Sequence, residues 1–184
     1  MYEKEKEKMS GFKDYHNRYS GKRDPDYWNR SGYIRPNSPI SKSNKPYKTR
    51  PATWVLRDVV ARSPRPGYPI QKDIGENKIE EWLKNVNETL GVMPKTILVL
   101  LEQKELDKYY SVDLLDYYRQ HGIEVLHYPT RDYKKNIFTT DELKNILKGV
   151  IKAKKPLLIS CSAGIDRTGE LAKYIPLLRN HGKL

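Results

Sequence analysis

The sequence predicts an α/β domain: a central, mostly parallel sheet of four to five strands flanked by helices, preceded by a basic tail. Three observations predict it. From Thr53 onward, strand-like and helix-like stretches alternate, which favours parallel strands joined by crossover helices. Thr96–Leu101 is a continuous apolar run, the mark of a strand covered on both faces. And the composition changes near residue 53, where polar, cation-rich chain gives way to apolar periodicity.

Residues 1–52 are expected to form a disordered tail. Glu3 to Lys8 alternates in charge, and up to Arg50 the only large apolar residues besides tyrosine are Met1, Met9, Phe12, Trp28, Ile34 and Ile40. So little apolar surface cannot offset the entropy of ordering the segment. Counting to residue 50, 13 Lys and Arg less 6 Asp and Glu leave +7 of the chain's net +12. Tyrosines 15, 19, 27, 33 and 47 interleave with these cations, a composition compatible with nucleic-acid contact through stacking and charge, or simply with a solubilising tail.

The domain, 53–184, opens with a strand or pair of strands over Thr53–Ala61, where Trp54, Val55, Val59 and Val60 supply β-formers. Arg62–Pro69, with three prolines, reads as a stiff loop. Asn77–Leu90 is a helix with Asn77 as its cap, an apolar stripe of Ile79, Trp82, Leu83, Val86 and Leu90, and Gly91 to end it. The Thr96–Leu101 strand follows, then a helix over Ser111–His121 closed by Gly122, and a strand over Ile123–His127. Thr139-Thr140-Asp141-Glu142 is a capping box that opens a helix with Leu143, Ile146, Leu147, Val150 and Ile151 inward. Pro156 breaks the chain before the final strand, Leu157–Ser160. The last helix starts near Arg167 and turns Leu171, Ile175 and Leu178 inward, with a kink expected at Pro176 because proline cannot donate its backbone hydrogen bond.

Between that strand and that helix lies Ser160-Cys161-Ser162-Ala163-Gly164-Ile165-Asp166-Arg167-Thr168-Gly169, which holds the only cysteine. A tight loop there aims successive N–H groups inward and makes an anion site at a helix start. A thiol in such a field is biased towards thiolate. Arg167 adds a planar fork for two phosphoryl oxygens. In α/β sheets ligands bind beyond the carboxyl ends of strands, where Cys161 falls. A free cysteine is otherwise most often an ordinary buried residue.

This Cys-x5-Arg-Thr-Gly loop resembles the phosphate loop of the protein tyrosine phosphatase superfamily. Trp54-Val55-Leu56-Arg57, Ile79-Glu80-Glu81-Trp82 and His127-Tyr128-Pro129-Thr130-Arg131-Asp132 are similar to its small archaeal-type, dual-specificity-like members, and the resemblance covers residues 53–179. It implies that Cys161 attacks phosphorus to give a phosphocysteine that water then hydrolyses. The N–H groups of Ser162, Ala163, Gly164, Ile165, Asp166 and Arg167 hold the phosphoryl oxygens, with Asp166 turning its carboxylate away from the anion. Asp132 is the implied proton donor, with Asp141 better suited to capping a helix, and Thr168 is the hydroxyl that eases departure of the sulfur. Arg62 or Arg65, in a loop near the pocket mouth, is a candidate substrate contact, though a solvated surface arginine is the plainer reading of either. His127 reads as a structural hydrogen-bonding residue. Two departures stand out. Ser160 replaces the histidine usual before the cysteine, which lowers turnover or shifts its pH optimum, and the chain ends at Leu184 where the family continues with further helices.

The expected function is therefore a protein phosphatase acting on phosphotyrosine, with phosphoserine and phosphothreonine as further substrates. The absence of extra lysines inside the loop favours protein over phosphoinositide. Two alternatives stay open: an RNA 5′-phosphatase of the same mechanism, motivated by the basic tail and Lys134-Lys135, and a non-catalytic phosphate-binding module, motivated by Ser160 and the short C-terminus. No His or Cys pair has metal-ligand spacing, so neither metal nor other cofactor is expected. The net charge of +12 and pI near 9.6 imply anionic partners. No apolar run approaches a membrane span, a lone cysteine forms no internal disulfide, and the charged start does not read as a signal peptide, so a cytoplasmic location is expected.

Overall fold

The structure, a computed structural model, describes residues 52–132 and 137–184. The tail, with the nucleic-acid contact expected of it, and Lys134-Lys135 lie outside the described residues.

The sheet has five strands in the order β1 (Thr53–Leu56), β2 (Val60–Pro64), β5 (Leu157–Cys161), β3 (Thr96–Val99) and β4 (Glu124–His127). β1 and β2 form an antiparallel hairpin, and every other pairing is parallel. Asp58 takes a positive φ of 61° in the hairpin turn, a conformation aspartate tolerates better than most residues. β5 is the middle strand and all five of its residues are buried, which is why Leu157-Leu158-Ile159 carries no polar alternation. Edge strand β4 is only half-buried along its length.

Ala61, Ile97, Val99 and Leu158 face one side of the sheet. There they join a core with α1 (Glu76–Leu90), α2 (Gln103–Tyr109) and α3 (Leu114–Gln120) through Ile79, Trp82, Val86, Leu106 and Tyr118. Strand alternation turns Val60, Leu98, Leu157 and Ile159 to the other side, where they are equally buried. On that side, α5 (Asp166–Ala172) lies against β5 and β2, and α6 (Ile175–Asn180) against β1. The α4 helix (Thr140–Lys152) buries Ile146, Leu147 and Val150.

Several local expectations are corrected. The cap of the first helix lies two residues earlier than read: it is Gly75, not Asn77, and no side chain caps the helix. Arg62–Pro64 is strand rather than loop, because pairing to Ile159–Cys161 of β5 carries β2 onward despite Pro64. The helix read over Ser111–His121 starts only at Leu114, where the Asp113 carboxylate accepts from the Asp116 N–H at 2.9 Å. Ahead of it lies α2, which the periodicity did not reveal: at seven residues it is too short to show a stripe. Ile151 stays exposed. Pro176 does not kink the last helix. Two short helices stand there, and Pro176 occupies the first turn of α6, where a missing N–H costs nothing. By contrast, the Thr139 capping box forms as read: Thr139 Oγ1 accepts from the Glu142 N–H at 3.2 Å and Glu142 Oε2 from the Thr139 N–H at 2.7 Å. Among the described residues no helix is long and apolar enough to cross a membrane.

Candidate active site

Cys161 is the last residue of the middle strand, paired in register with Pro64 of β2, while Ser160 pairs with Val99 of β3. One paired neighbour on each side of β5 thus fixes where the strand stops and the loop begins. Gly164 then turns the chain with φ of 69°. A Cβ there would lie 2.4 Å from Pro64 N and 2.5 Å from Ser63 C, both backbone atoms, so only glycine fits. The same stretch of chain is tied on its other side by the Arg65 N–H, which donates to the Ser162 carbonyl at 3.2 Å. The loop is therefore shaped by the end of β2 as much as by its own residues.

Beyond Gly164 the chain enters α5, where Gly169 N–H donates to Ile165 O at 2.8 Å. Ser162, Ala163 and Gly164 are half-buried, and Ile165 and Asp166 are exposed, the latter in keeping with a carboxylate kept off the loop interior. Beneath them Cys161, Arg167 and Thr168 are buried. Cys161 Sγ and Thr168 Oγ1 lie 3.9 Å apart, within the reach of a sulfur hydrogen bond.

Arg167 is held more firmly than the loop pattern foretold. Its Nη1 donates to Glu105 Oε2 at 2.6 Å and its Nη2 to Glu105 Oε1 at 2.8 Å, a bidentate pair whose side chains are 1% and 10% exposed. Nη1 also reaches the carbonyls of Leu100 and Thr130, each at 3.1 Å. The terminal fork of Arg167 is thus taken. The donors that remain are Nε–H and the second Nη2 hydrogen, which form another fork along the side of the planar group. The Asp132 carboxylate lies on that side, its Oδ1 3.7 Å from Nε, with its side chain 64% exposed. That is ion-pair range and too long for a hydrogen bond.

The charges reinforce each other. Burial pushes the Glu105 carboxyl up, but hydrogen bonds from Arg167 and the Glu102 N–H, with the charges of Arg167 and Lys104, leave it below the ordinary value of 4.5. Burial likewise works against the Arg167 cation, yet its bonds to Glu105 and the charges of Cys161, Glu105 and Asp132 raise its pKa overall.

The structure thus brings Cys161, Arg167, Thr168 and Asp132 to one place, with Ser162–Asp166 around them. It keeps Arg65 out. That side chain is fully buried, with its guanidinium carbon 3.8 Å from the centre of the Tyr109 ring, so it cannot touch a substrate as expected. Burial of its apolar stem and stacking on the ring win over solvation of the head. His127 Nε2 lies 2.9 Å from the Leu101 carbonyl, the structural role read for it.

Glu105 and the Leu100 and Thr130 carbonyls are the partners of Arg167 that sequence reading missed. The one available signal was Glu102-x-x-Glu105, a capping-box pattern, and the box does form, with Glu105 Oε2 accepting from the Glu102 N–H at 2.9 Å. Nothing local points from Glu105 to Arg167.

The model of one family, Cyclin-dependent kinase inhibitor 3 (CDKN3), matches residues 69–180. Among solved structures, the chain is similar to Tk-PTP in its active form at 25% identity and a TM-score of 0.49, covering 71% of this chain and 74% of that one. It is similar also to the core catalytic domain of the PP-IP phosphatase Siw14 from S. cerevisiae, in complex with citrate, at 22% identity and a TM-score of 0.46, covering 71% and 67%. No curated protein matches.

Proposed function

This chain belongs to the Cyclin-dependent kinase inhibitor 3 family, within the protein tyrosine phosphatase superfamily, and on that footing we propose that it is a phosphoric monoester hydrolase acting on phosphotyrosine in proteins, with phosphoserine and phosphothreonine as further substrates. The observation that carries the reading is the convergence on Arg167: a buried, bidentately clamped guanidinium in the cysteine loop, whose remaining edge faces Asp132. A bound phosphoryl group meets that edge and the loop N–H groups. Cys161 Sγ attacks phosphorus, forming an S–P bond as the P–O bond to the leaving group breaks. Asp132 gives its proton to the departing oxygen. Water then attacks phosphorus, returning a proton to Asp132, and the S–P electron pair goes back to sulfur as inorganic phosphate leaves. The Thr168 hydroxyl stabilises the sulfur at that moment. The exposed position of Asp132 suits a group that must reach the leaving oxygen from solvent side.

The test uses wild type, Cys161→Ser and Asp132→Asn with p-nitrophenyl phosphate, a phosphotyrosine peptide and 5′-triphosphorylated RNA. Wild type hydrolyses the aryl phosphate and the peptide, and Cys161→Ser hydrolyses neither. Asp132→Asn loses about 10²-fold or more in kcat on the peptide while still binding it. Turnover of the RNA in preference to the peptide would reassign the substrate. Binding of phosphate without turnover of any of the three would make the protein a phosphate-binding module instead.

A further inference from the structure

One buried cation beside the loop has no part in the chemistry so far. Arg65 is fully buried, yet among the described residues no carboxylate lies within ion-pair distance of it. Its Nη1 donates to the Pro66 carbonyl at 3.1 Å and its Nη2 to the Ile70 carbonyl, while Nε has no partner among the described residues. Its faces meet aromatic rings, Tyr109 at 3.8 Å and Tyr68 at 5.7 Å. Tyr110, whose hydroxyl donates to the Pro66 carbonyl at 3.2 Å, supplies no negative charge either, since burial pushes its pKa up. Arginine does not shed its proton, and a buried charge with no counter-charge is costly to keep.

The two buried arginines therefore differ in kind. Arg167 points donors at the site, but Glu105 cancels its charge. Arg65 gives its Nη donors to the Pro66 and Ile70 carbonyls, but among the described residues no carboxylate cancels its charge. It is also close to the loop by two independent routes. Its own N–H holds the Ser162 carbonyl. Its ring partner Tyr109 stands four residues after Glu105 on α2, so the two share a helix face about 6 Å apart along the axis.

We propose that Arg65 is an electrostatic positioning residue of the phosphate loop, and that the anion which balances its buried charge is the phosphoryl group of the substrate. This rests on the phosphatase reading above. It makes the resting protein bear an unbalanced cation that binding of an oxyanion relieves, and it assigns the net attraction for phosphate to Arg65 rather than to the neutralised Arg167–Glu105 pair.

The experiment measures affinity for inorganic phosphate by calorimetry at low ionic strength, and the melting midpoint without ligand, for the full chain. Arg65→Met keeps the bulk and removes the charge. Phosphate binding should fall about tenfold, while the ligand-free midpoint stays level or rises. Arg65→Lys keeps the charge and should bind phosphate within about threefold of wild type. A residue that only packs the loop would lower the midpoint in both variants. Phosphate affinity unchanged in Arg65→Met, or reduced as far in Arg65→Lys as in Arg65→Met, overturns the proposal. Should Arg65→Met not fold, Arg65→Gln carries the same comparison. Failure of the underlying reading looks different: wild type and Cys161→Ser would then both fail to bind phosphate at all.

Discussion

Replacing Glu105 by glutamine separates the charge of the Arg167 clamp from its shape. In wild type the carboxylate accepts from Nη1 at 2.6 Å, from Nη2 at 2.8 Å and from the Glu102 N–H at 2.9 Å, all around an arginine that is 1% exposed. Glutamine can offer one oxygen to this set and must turn an NH₂ group towards a donor. One charge-assisted hydrogen bond, worth about 1.5–3 kcal/mol, is therefore lost outright, and Arg167 becomes a buried charge without its partner. Removing one member of a buried pair costs roughly 3–5 kcal/mol, so Glu105→Gln should fall near the lower end, about 3 kcal/mol, and Glu105→Ala near the upper. For a domain of this size that is a drop of roughly 10 °C in Tm. Activity should suffer separately, because the side edge of Arg167 that faces the loop is aimed only through the clamped end. A loss of about 10²-fold in kcat corresponds to about 2.7 kcal/mol of transition-state stabilisation, well within what one misaimed donor costs. Circular dichroism melts and steady-state kinetics on p-nitrophenyl phosphate check both numbers. A Glu105→Gln protein that melts within 2 °C of wild type (roughly half a kcal/mol) and turns over at a similar rate would refute the view that the clamp sets Arg167.

The same carboxylate makes stability depend on pH. Its folded pKa lies below the ordinary 4.5, so its contribution is complete above that value and is lost as pH falls through the folded one. The stability gap between wild type and Glu105→Gln, read from urea melts, should be constant above about pH 5.5 and close progressively below about pH 4.5. Gly164→Ala must place a Cβ 2.4–2.5 Å from the backbone of Ser63 and Pro64 at a φ of 69°. It should destabilise by about 2–4 kcal/mol and abolish turnover, whereas Gly91→Ala, whose Cβ meets nothing within 4 Å, should cost only the strain of its positive φ and leave kcat unchanged. Thr139→Ala removes the α4 cap and should cost about 1 kcal/mol in a urea melt with no change in kcat, since α4 carries no site residue.

The cysteine loop was legible because its message is local. An unalternated apolar strand, a glycine and the run Arg167-Thr168-Gly169 stand within a dozen residues, and each constrains its neighbours through the backbone alone. The α4 cap was legible for the same reason. The alternation of strand and helix, similarly, was enough to foresee a largely parallel sheet with Cys161 at a strand's carboxyl end. Short-range reading failed where one element depended on another. Pro64 belongs to β2 because β5 pairs with it, and Pro176 begins a helix because Lys173 and Tyr174 have already ended the previous one.

What this sequence determined by itself is therefore the kind of site: a lone cysteine, an arginine six places on and a glycine that no other residue can replace. What only the tertiary structure decided is how that arginine is held and where a second one goes. Strand order β2-β5-β3 sets the loop between the end of β2 and the segment after β3, so Glu105, 62 residues from Arg167, becomes its closest partner. The same order carries Arg65 under Tyr109 and away from solvent. Side-chain charge and burial are properties of neighbours in space, and those neighbours come from parts of the chain that carry no mark of one another.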